Sequence, residues 1–398
     1  MTAPSLASTA LEAYRQAYPA LQNKAYFNYG GQGPLHQQAL DAILQSFRQI
    51  QASGPFSSAT NAWITEESNR TRQAIAQELG TTSDTITLTE NVTIGCNIAL
   101  WGMDWRLGDH ILISDCEHPG VIAAVQEVQR RFGVEVSTCP LKATLNQGDP
   151  VAAVANHLKP NTRLVVLSHI LWNTGQVLPL AEIIAACHSY SNSQPIRVLV
   201  DAAQSVGVLP LHLTELQADF YAFTGHKWWC GPEGVGGLYV RPEAQESLQP
   251  TLIGWRGITG NNQGIPTGWK PDGRRYEVAT SAYPLYAGLR IAIAVHRSFA
   301  TPPERYDRIR VLSRLLWQQL HTVAGVNCLR TTAPQAGLVS FQVEGRSPAQ
   351  LVQFLESRRI MTRTILDSDC VRACVHYFTL ESEIQQLVEA VQQFVRQS

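Results

Sequence analysis

No excess of either charge marks this 398-residue chain: Lys and Arg total 31, Asp and Glu 32, for a formal net charge of −1. A nucleic-acid binder carries a basic excess gathered in a patch, so no nucleic-acid partner is expected. No stretch reaches the ~18 uncharged apolar residues that a membrane helix needs, so no membrane partner is expected either. The opening residues, MTAPSLASTALEAYRQAYPAL, lack the basic start and apolar run of a secretory signal. Eight cysteines are scattered without a CxxC pair, against the common zinc-ribbon and thioredoxin signatures. In a chain this large they read as reduced thiols rather than a disulfide framework. A content of 44% hydrophobic and 16% charged residues excludes disorder. A cytoplasmic, enzyme-sized protein of roughly two to three domains is expected.

Short apolar runs at 85–88, 110–114, 164–168, 198–200 and 220–223 read as buried strands. Amphipathic stretches of helical length, such as 121–131, 151–158 and 180–190, lie between them. Uncharged strands alternating with such helices predict an α/β fold with a doubly wound, mostly parallel sheet. Beyond residue 288 the pattern changes to a long helix (303–323), strands at 337–343, 360–364 and 370–375, and helices at 348–358 and 382–396. The expected organisation is an N-terminal segment (1–20) packed on the small domain, a large domain (21–290) and a small α+β domain (291–398). Residues 254–273, rich in Gly, Asn and Pro, read as a long loop. Ligands of open α/β sheets gather at the carboxyl ends of strands, so the polar groups there are the candidates for chemistry.

Four stretches stand out. In FYAFTGHKWW, Lys227 follows a strand and precedes two tryptophans. Desolvation there lowers an ammonium's pKa and frees an amine for Schiff-base formation; the plainer alternative is a surface lysine. In VLVDAAQS, Asp201 ends an uncharged strand with Gln204 three residues on. It is either an ion-pair partner or the counter-charge of a cationic ring. In TLTENVTIG, Asn91, Val92 and Thr93 open a helix, as an N-cap or as an anion site built on exposed amides. In SDCEHPG, His118 is placed to stack on a flat ring. Cys116, Glu117 and His118 are the alternative start of a metal site, but no second cluster with ligand spacing accompanies them, and no metal is expected. Gly231, Gly234, Gly236 and Gly237 raise the alternative of a dinucleotide-binding oxidoreductase. They precede a strand, whereas that fingerprint must open a helix.

Asp-x-x-Gln at 201–204 followed by Thr-Gly-His-Lys at 224–227 resembles the class V aminotransferase-like enzymes of fold type I. These use pyridoxal 5'-phosphate (PLP), and the nearer branch is that of the cysteine desulfurases. The resemblance spans Tyr26-Phe27-Asn28 to the final helix. It implies that Lys227 condenses with the cofactor aldehyde, Asp201 pairs with the pyridinium nitrogen and Gln204 contacts the ring hydroxyl. It also implies that His118 stacks on the ring, while Asn91, Val92, Thr93, Thr224 and His226 hold the phosphate. Lys227 and His118 are then the catalytic pair. The segment 274–280 resembles the one through which a partner subunit's phosphate is reached, with Thr280 as the contact, which implies a homodimer. Asn28, Asn173, Arg363 and Arg372 are the implied substrate contacts, although the family's asparagine falls at Trp172 and Asn173 is displaced by one.

Cysteine desulfurases carry a nucleophilic cysteine on a long loop between two such arginines. Here only residues 364–371 intervene, and Cys370 falls two residues before Arg372 within a predicted strand. Buried thiols are inert. The resemblance therefore narrows to the cystine C–S lyases of this branch, in which a β-thiolate leaves unaided and cysteine persulfide is released as a sulfur donor to an acceptor, for example for iron–sulfur clusters. Two arginines suit the two carboxylates of L-cystine. A desulfurase using Cys370, an epimerase and an aminotransferase stay open as alternatives.

Overall fold

The computed structural model describes residues 8–192 and 194–397. Its larger sheet has seven strands: Ile86–Thr89 (β1), His110–Ser114 (β2), Glu135–Cys139 (β3), Thr162–Ser168 (β4), Arg197–Asp201 (β5), Phe220–Thr224 (β6) and Gly236–Val240 (β7). They lie in the order β1-β7-β6-β5-β4-β2-β3. Only β7 runs against its neighbours. β5, β6 and β7 are buried almost throughout, which is why they read as apolar runs rather than alternating ones. One face is covered by Ser58–Leu79, Leu180–Ser189 and Tyr283–Phe299, the other by Val92–Gly102 and Pro119–Phe132. The doubly wound α/β architecture expected from the sequence is present. β3 was not foreseen, because this edge strand is largely exposed and its apolar pattern is blurred.

Four antiparallel strands, Val326–Cys328 (β8), Leu338–Val343 (β9), Arg363–Ile365 (β10) and Cys370–Cys374 (β11), form a smaller sheet in the order β8-β9-β11-β10. The helices Pro302–His321, Pro348–Ser357 and Glu381–Arg396 share its apolar core. The strand expected at 360–364 is two strands on two sheets. Ile360–Met361 pairs in parallel with Ala25–Tyr26, whereas Arg363–Ile365 pairs with β11. The expected loop 254–273 contains a hairpin, Ile258–Gly260 with Pro266–Trp269. One helix, Tyr283–Phe299, runs straight through position 290, the expected end of the large domain. Of the expected N-terminal segment, residues 1–7 lie outside the described residues, as does Ser398 at the other end. Arg15 donates to the carbonyl of Phe378 at 2.7 Å and pairs with Glu383 at 2.6 Å, both within the C-terminal region. No helix among the described residues is long and apolar enough to cross a membrane.

Candidate active site

The carboxyl ends of β2, β4, β5 and β6 converge on a cavity of about 540 Å³. Nine of the residues singled out in the sequence line it: Asn91, Val92, Thr93, His118, Asp201, Gln204, His226, Lys227 and Arg363. Ile94, Ser168, Ile170, Trp172 and Ala203 join them. Trp172 stands where the resemblance places the family's asparagine; the other four were not foreseen as lining residues, since apolar and small side chains at strand ends carry no pattern that separates a wall from a core.

Asp201 is 6% exposed, and its Oδ1 accepts the amide of Ala203 at 2.9 Å. No Lys or Arg among the described residues pairs with it, a costly state for a buried carboxylate that awaits a cation. The side chain of Lys227 likewise forms no hydrogen bond or ion pair among the described residues. Burial lowers its ammonium to about 8, Asp201 opposes the fall, and Arg372 and Arg363 add to it. An amine so placed is partly unprotonated near neutral pH. Gln204 is anchored at both ends, donating to the carbonyl of Gly30 at 2.8 Å and accepting from the indole of Trp228 at 2.9 Å. One amide hydrogen stays free.

At the opposite wall Asn91 caps the helix Val92–Gly102, accepting from the Ile94 amide at 3.1 Å. Its side chain therefore takes the capping role, while Val92 and Thr93 keep first-turn N–H groups without helical acceptors. Gly95 lets this helix lie against β6, since a Cβ there would come within 2.8 Å of the Ala222 methyl. His118 caps the next helix through Nδ1, which accepts from Gly120 at 3.2 Å. Its neutral ring therefore carries the proton on Nε2, and burial lowers its pKa. Trp172 meets that ring edge-on, with centroids 5.5 Å apart. The alternative metal site is not assembled: Glu117 turns away to bond two serines, and among the described residues no group of three His, Cys, Asp or Glu is gathered for a metal.

Five predicted residues lie off the cavity wall. Thr224 is buried and reaches His226 Nδ1 at 2.6 Å. Thr280 is exposed, beyond the buried Glu277 that holds Arg72 and Arg256. Asn28 borders a neighbouring cavity with an unpartnered Oδ1. Arg372 is 1% exposed, donates to the carbonyl of Trp172 at 2.7 Å, and leaves Nε and Nη2 without acceptors. Asn173 is fully buried and donates to Asp367 at 2.6 Å. Its amide pins the loop between β10 and β11 instead of entering the cavity, because the chain turns after Trp172.

Behind Lys227 the backbone is pinned residue by residue. Nε2 of His376 meets the carbonyl of Trp228 at 2.9 Å, and Nε2 of His296 meets that of Trp229 at 2.7 Å. A carbonyl only accepts, so both rings carry their proton on Nε2. Nδ1 of His296 then accepts from Tyr377 at 2.5 Å, Tyr377 from Tyr14 at 2.7 Å, and Tyr14 from Tyr18 at 3.0 Å. Burial holds His376 down at about 3 and His296 well below its ordinary value. When unfolded, each binds a proton below about pH 6.5. Their contribution is therefore complete above that pH and is lost as pH falls toward the folded-state values, by at most about 1.4 kcal/mol per pH unit per histidine. The expected result is a melting temperature that drops by several degrees from pH 7 to pH 5 by calorimetry, with a shallower drop in H376Q.

The family model for aminotransferase class-V matches residues 25–398. The chain belongs to the class-V aminotransferase family. Among curated members it is 27% identical to an isopenicillin N epimerase of Streptomyces clavuligerus, over 92% of this chain and 93% of that one. It is 25% identical to a probable cysteine desulfurase of Methanothermobacter thermautotrophicus, over 96% and 97%. Among solved class-V structures it is 53% identical to the cystine C–S lyase C-DES in complex with its reaction product cysteine persulfide, with a TM-score of 0.93 over 94% of this chain and 99% of that one. A C-DES variant with a lysine replaced by alanine, holding glycine covalently linked to its PLP cofactor, matches with a TM-score of 0.94 at the same identity, over 95% and 98%.

Proposed function

We propose that this chain is a PLP-dependent carbon–sulfur lyase that converts L-cystine and water into cysteine persulfide, pyruvate and ammonia. The residues fit the cofactor: an unpaired amine and an unpaired carboxylate face one cavity, with free helix-start amides at its far wall. Lys227, Asp201, His118 and Gln204 would hold the ring, and Asn91, Val92, Thr93, Thr224 and His226 the phosphate, with the partner subunit's Thr280 in a homodimer. When bound, the cofactor supplies an aldehyde for the amine of Lys227 and a ring that withdraws electrons from the substrate's Cα.

One observation carries the choice of substrate. Arg363 and Arg372 are direct register partners across β10 and β11. Like charges opposite each other on a sheet are destabilising, and two guanidinium groups there with donors left over, Nε and Nη2 in Arg372, suit a ligand with two carboxylates. Asn28 stands nearby at the neighbouring cavity. Lys227, with its lowered pKa, removes the Cα proton, and Asp201 keeps a ring nitrogen protonated. The Cβ–S bond of cystine would then break and the sulfur would depart as cysteine persulfide, not onto the protein, because the short loop between β10 and β11 offers no thiol. Cys370 is fully buried and its thiol is pushed up to about 12 by burial. The persulfide released in the cytoplasm would serve a sulfur acceptor.

The test is purified protein loaded with PLP, given L-cystine and followed for pyruvate and persulfide. Pyruvate in step with persulfide is expected, and C370A should keep activity within about twofold, since an inert thiol contributes nothing to the chemistry. Alanine formed from cysteine as the main product, with loss of activity in C370A, would establish a desulfurase instead. Epimerised amino acid without pyruvate would establish an epimerase.

A further inference from the structure

Glu117, in the stretch between β2 and the helix Pro119–Phe132, has no part in the chemistry described so far. It is 3% exposed. Its Oε1 accepts from Ser114 Oγ at 2.5 Å and from the Ser168 amide at 3.1 Å, and its Oε2 accepts from Ser168 Oγ at 2.8 Å. Ser114 ends β2 and Ser168 ends β4, so one carboxyl bridges two neighbouring strand tips. Ser168 is in turn the register partner of Asp201 on β5. Two carboxyls therefore stand side by side beneath the cavity with a single serine between them.

Among the described residues no Lys, Arg or His forms an ion pair with Glu117. Facing it from β5 is Asp201, from the helix Val92–Gly102 Cys96, from β3 Cys139, and from its own segment Asp115, Cys116 and His118. Burial pushes the carboxyl up to about 7; the bond from Ser114 opposes this, Asp201 adds to it, and Ser168 opposes it again. Both states have bonding partners. Ionised, Glu117 accepts from both serines and the amide. Protonated, it donates from Oε2 to Ser168 Oγ, while Ser114 Oγ still reaches Oε1.

We propose that Glu117 is a positioning residue that sets the charge beneath the cofactor: protonated, it leaves Asp201 as the lone carboxylate at the strand ends, and ionised, it adds a second. A second negative charge favours the protonated forms of the ring nitrogen and of Lys227. The optical and catalytic behaviour of the site then follows the proton on Glu117. This inference rests on the PLP reading above.

The experiment is the visible absorption of the PLP-loaded protein, recorded from about pH 5.5 to about pH 9 for the natural chain, E117Q and S168A. E117Q keeps the shape and the acceptor Oε1 but cannot ionise. The natural chain is expected to titrate in two steps, one of them near pH 7, and E117Q to lose that step while keeping the upper one. S168A removes a bond that favours the ionised carboxyl, so its lower step should move upward by about half a unit or more. This arm also keeps the proposal testable if E117Q does not fold. The same two midpoints in E117Q, or an unmoved lower step in S168A, would overturn the proposal. A protein with no visible band at all would instead sink the PLP reading, while a band indifferent to pH between 6 and 8 would sink this inference alone.

Discussion

Lys227→Ala is expected to abolish pyruvate release from cystine, by at least about 10³-fold, while leaving the protein as stable as before or more so. The loss follows from removing the group that exchanges the proton at Cα, a role that contributes about 10²–10⁴-fold in itself, on top of the lost site of attachment. Retained stability is the less obvious half. The side chain makes no hydrogen bond or ion pair, and its ammonium is already disfavoured by burial. The peptide around it is held without its help: the carbonyl of His226 by the Gly33 amide at 2.7 Å, and its own carbonyl by the Cys230 amide at 3.0 Å. Melting curves and steady-state rates on one preparation check both halves. A variant that retains turnover, or one that unfolds, would contradict the role assigned to this residue.

The second large effect is expected from Asp201→Asn. The amide keeps the shape and the acceptor oxygen that bonds Ala203, so only the charge is lost. Truncating one partner of a buried charge pair costs about 2–5 kcal/mol, which corresponds to a fall in kcat of roughly 30- to 5,000-fold and to faster loss of cofactor on dialysis. Rates before and after re-addition of PLP separate the two contributions. A rate unchanged at saturating cofactor would mean that the carboxylate does not act on the ring.

Much of this site was legible because its chemistry sits where the backbone pattern is strongest. Apolar strand interiors such as those of β5 and β6 announce themselves, so the polar residues that end them, Asp201 and the Thr224 to Lys227 run, stand out. The two arginines were equally visible, yet their direct opposition was not, because it depends on the register of β10 against β11 and on the break at Thr362 that separates two strands from one apolar run. Asn173 illustrates a different limit. Its residue type suits a ligand contact, but a one-residue displacement turned its amide to Asp367, and only coordinates fix that direction. Glu117 looked like a possible metal ligand in sequence; two serines, 3 and 51 positions away, decide otherwise. The edge strand β3 and the hairpin at 258–269 escaped because exposed strands lack the alternation that marks half-buried ones.

The tyrosine–histidine relay behind Lys227 has a consequence for how the protein is made. Its hydroxyl contact between Tyr14 and Tyr377 joins positions 363 residues apart. On the ribosome, the lysine and the strand tips around it emerge well before the residues that pin the carbonyls of Trp228 and Trp229. The pocket is therefore expected to take its working form only once His376, 148 residues beyond Trp228, has emerged to bond the Trp228 carbonyl.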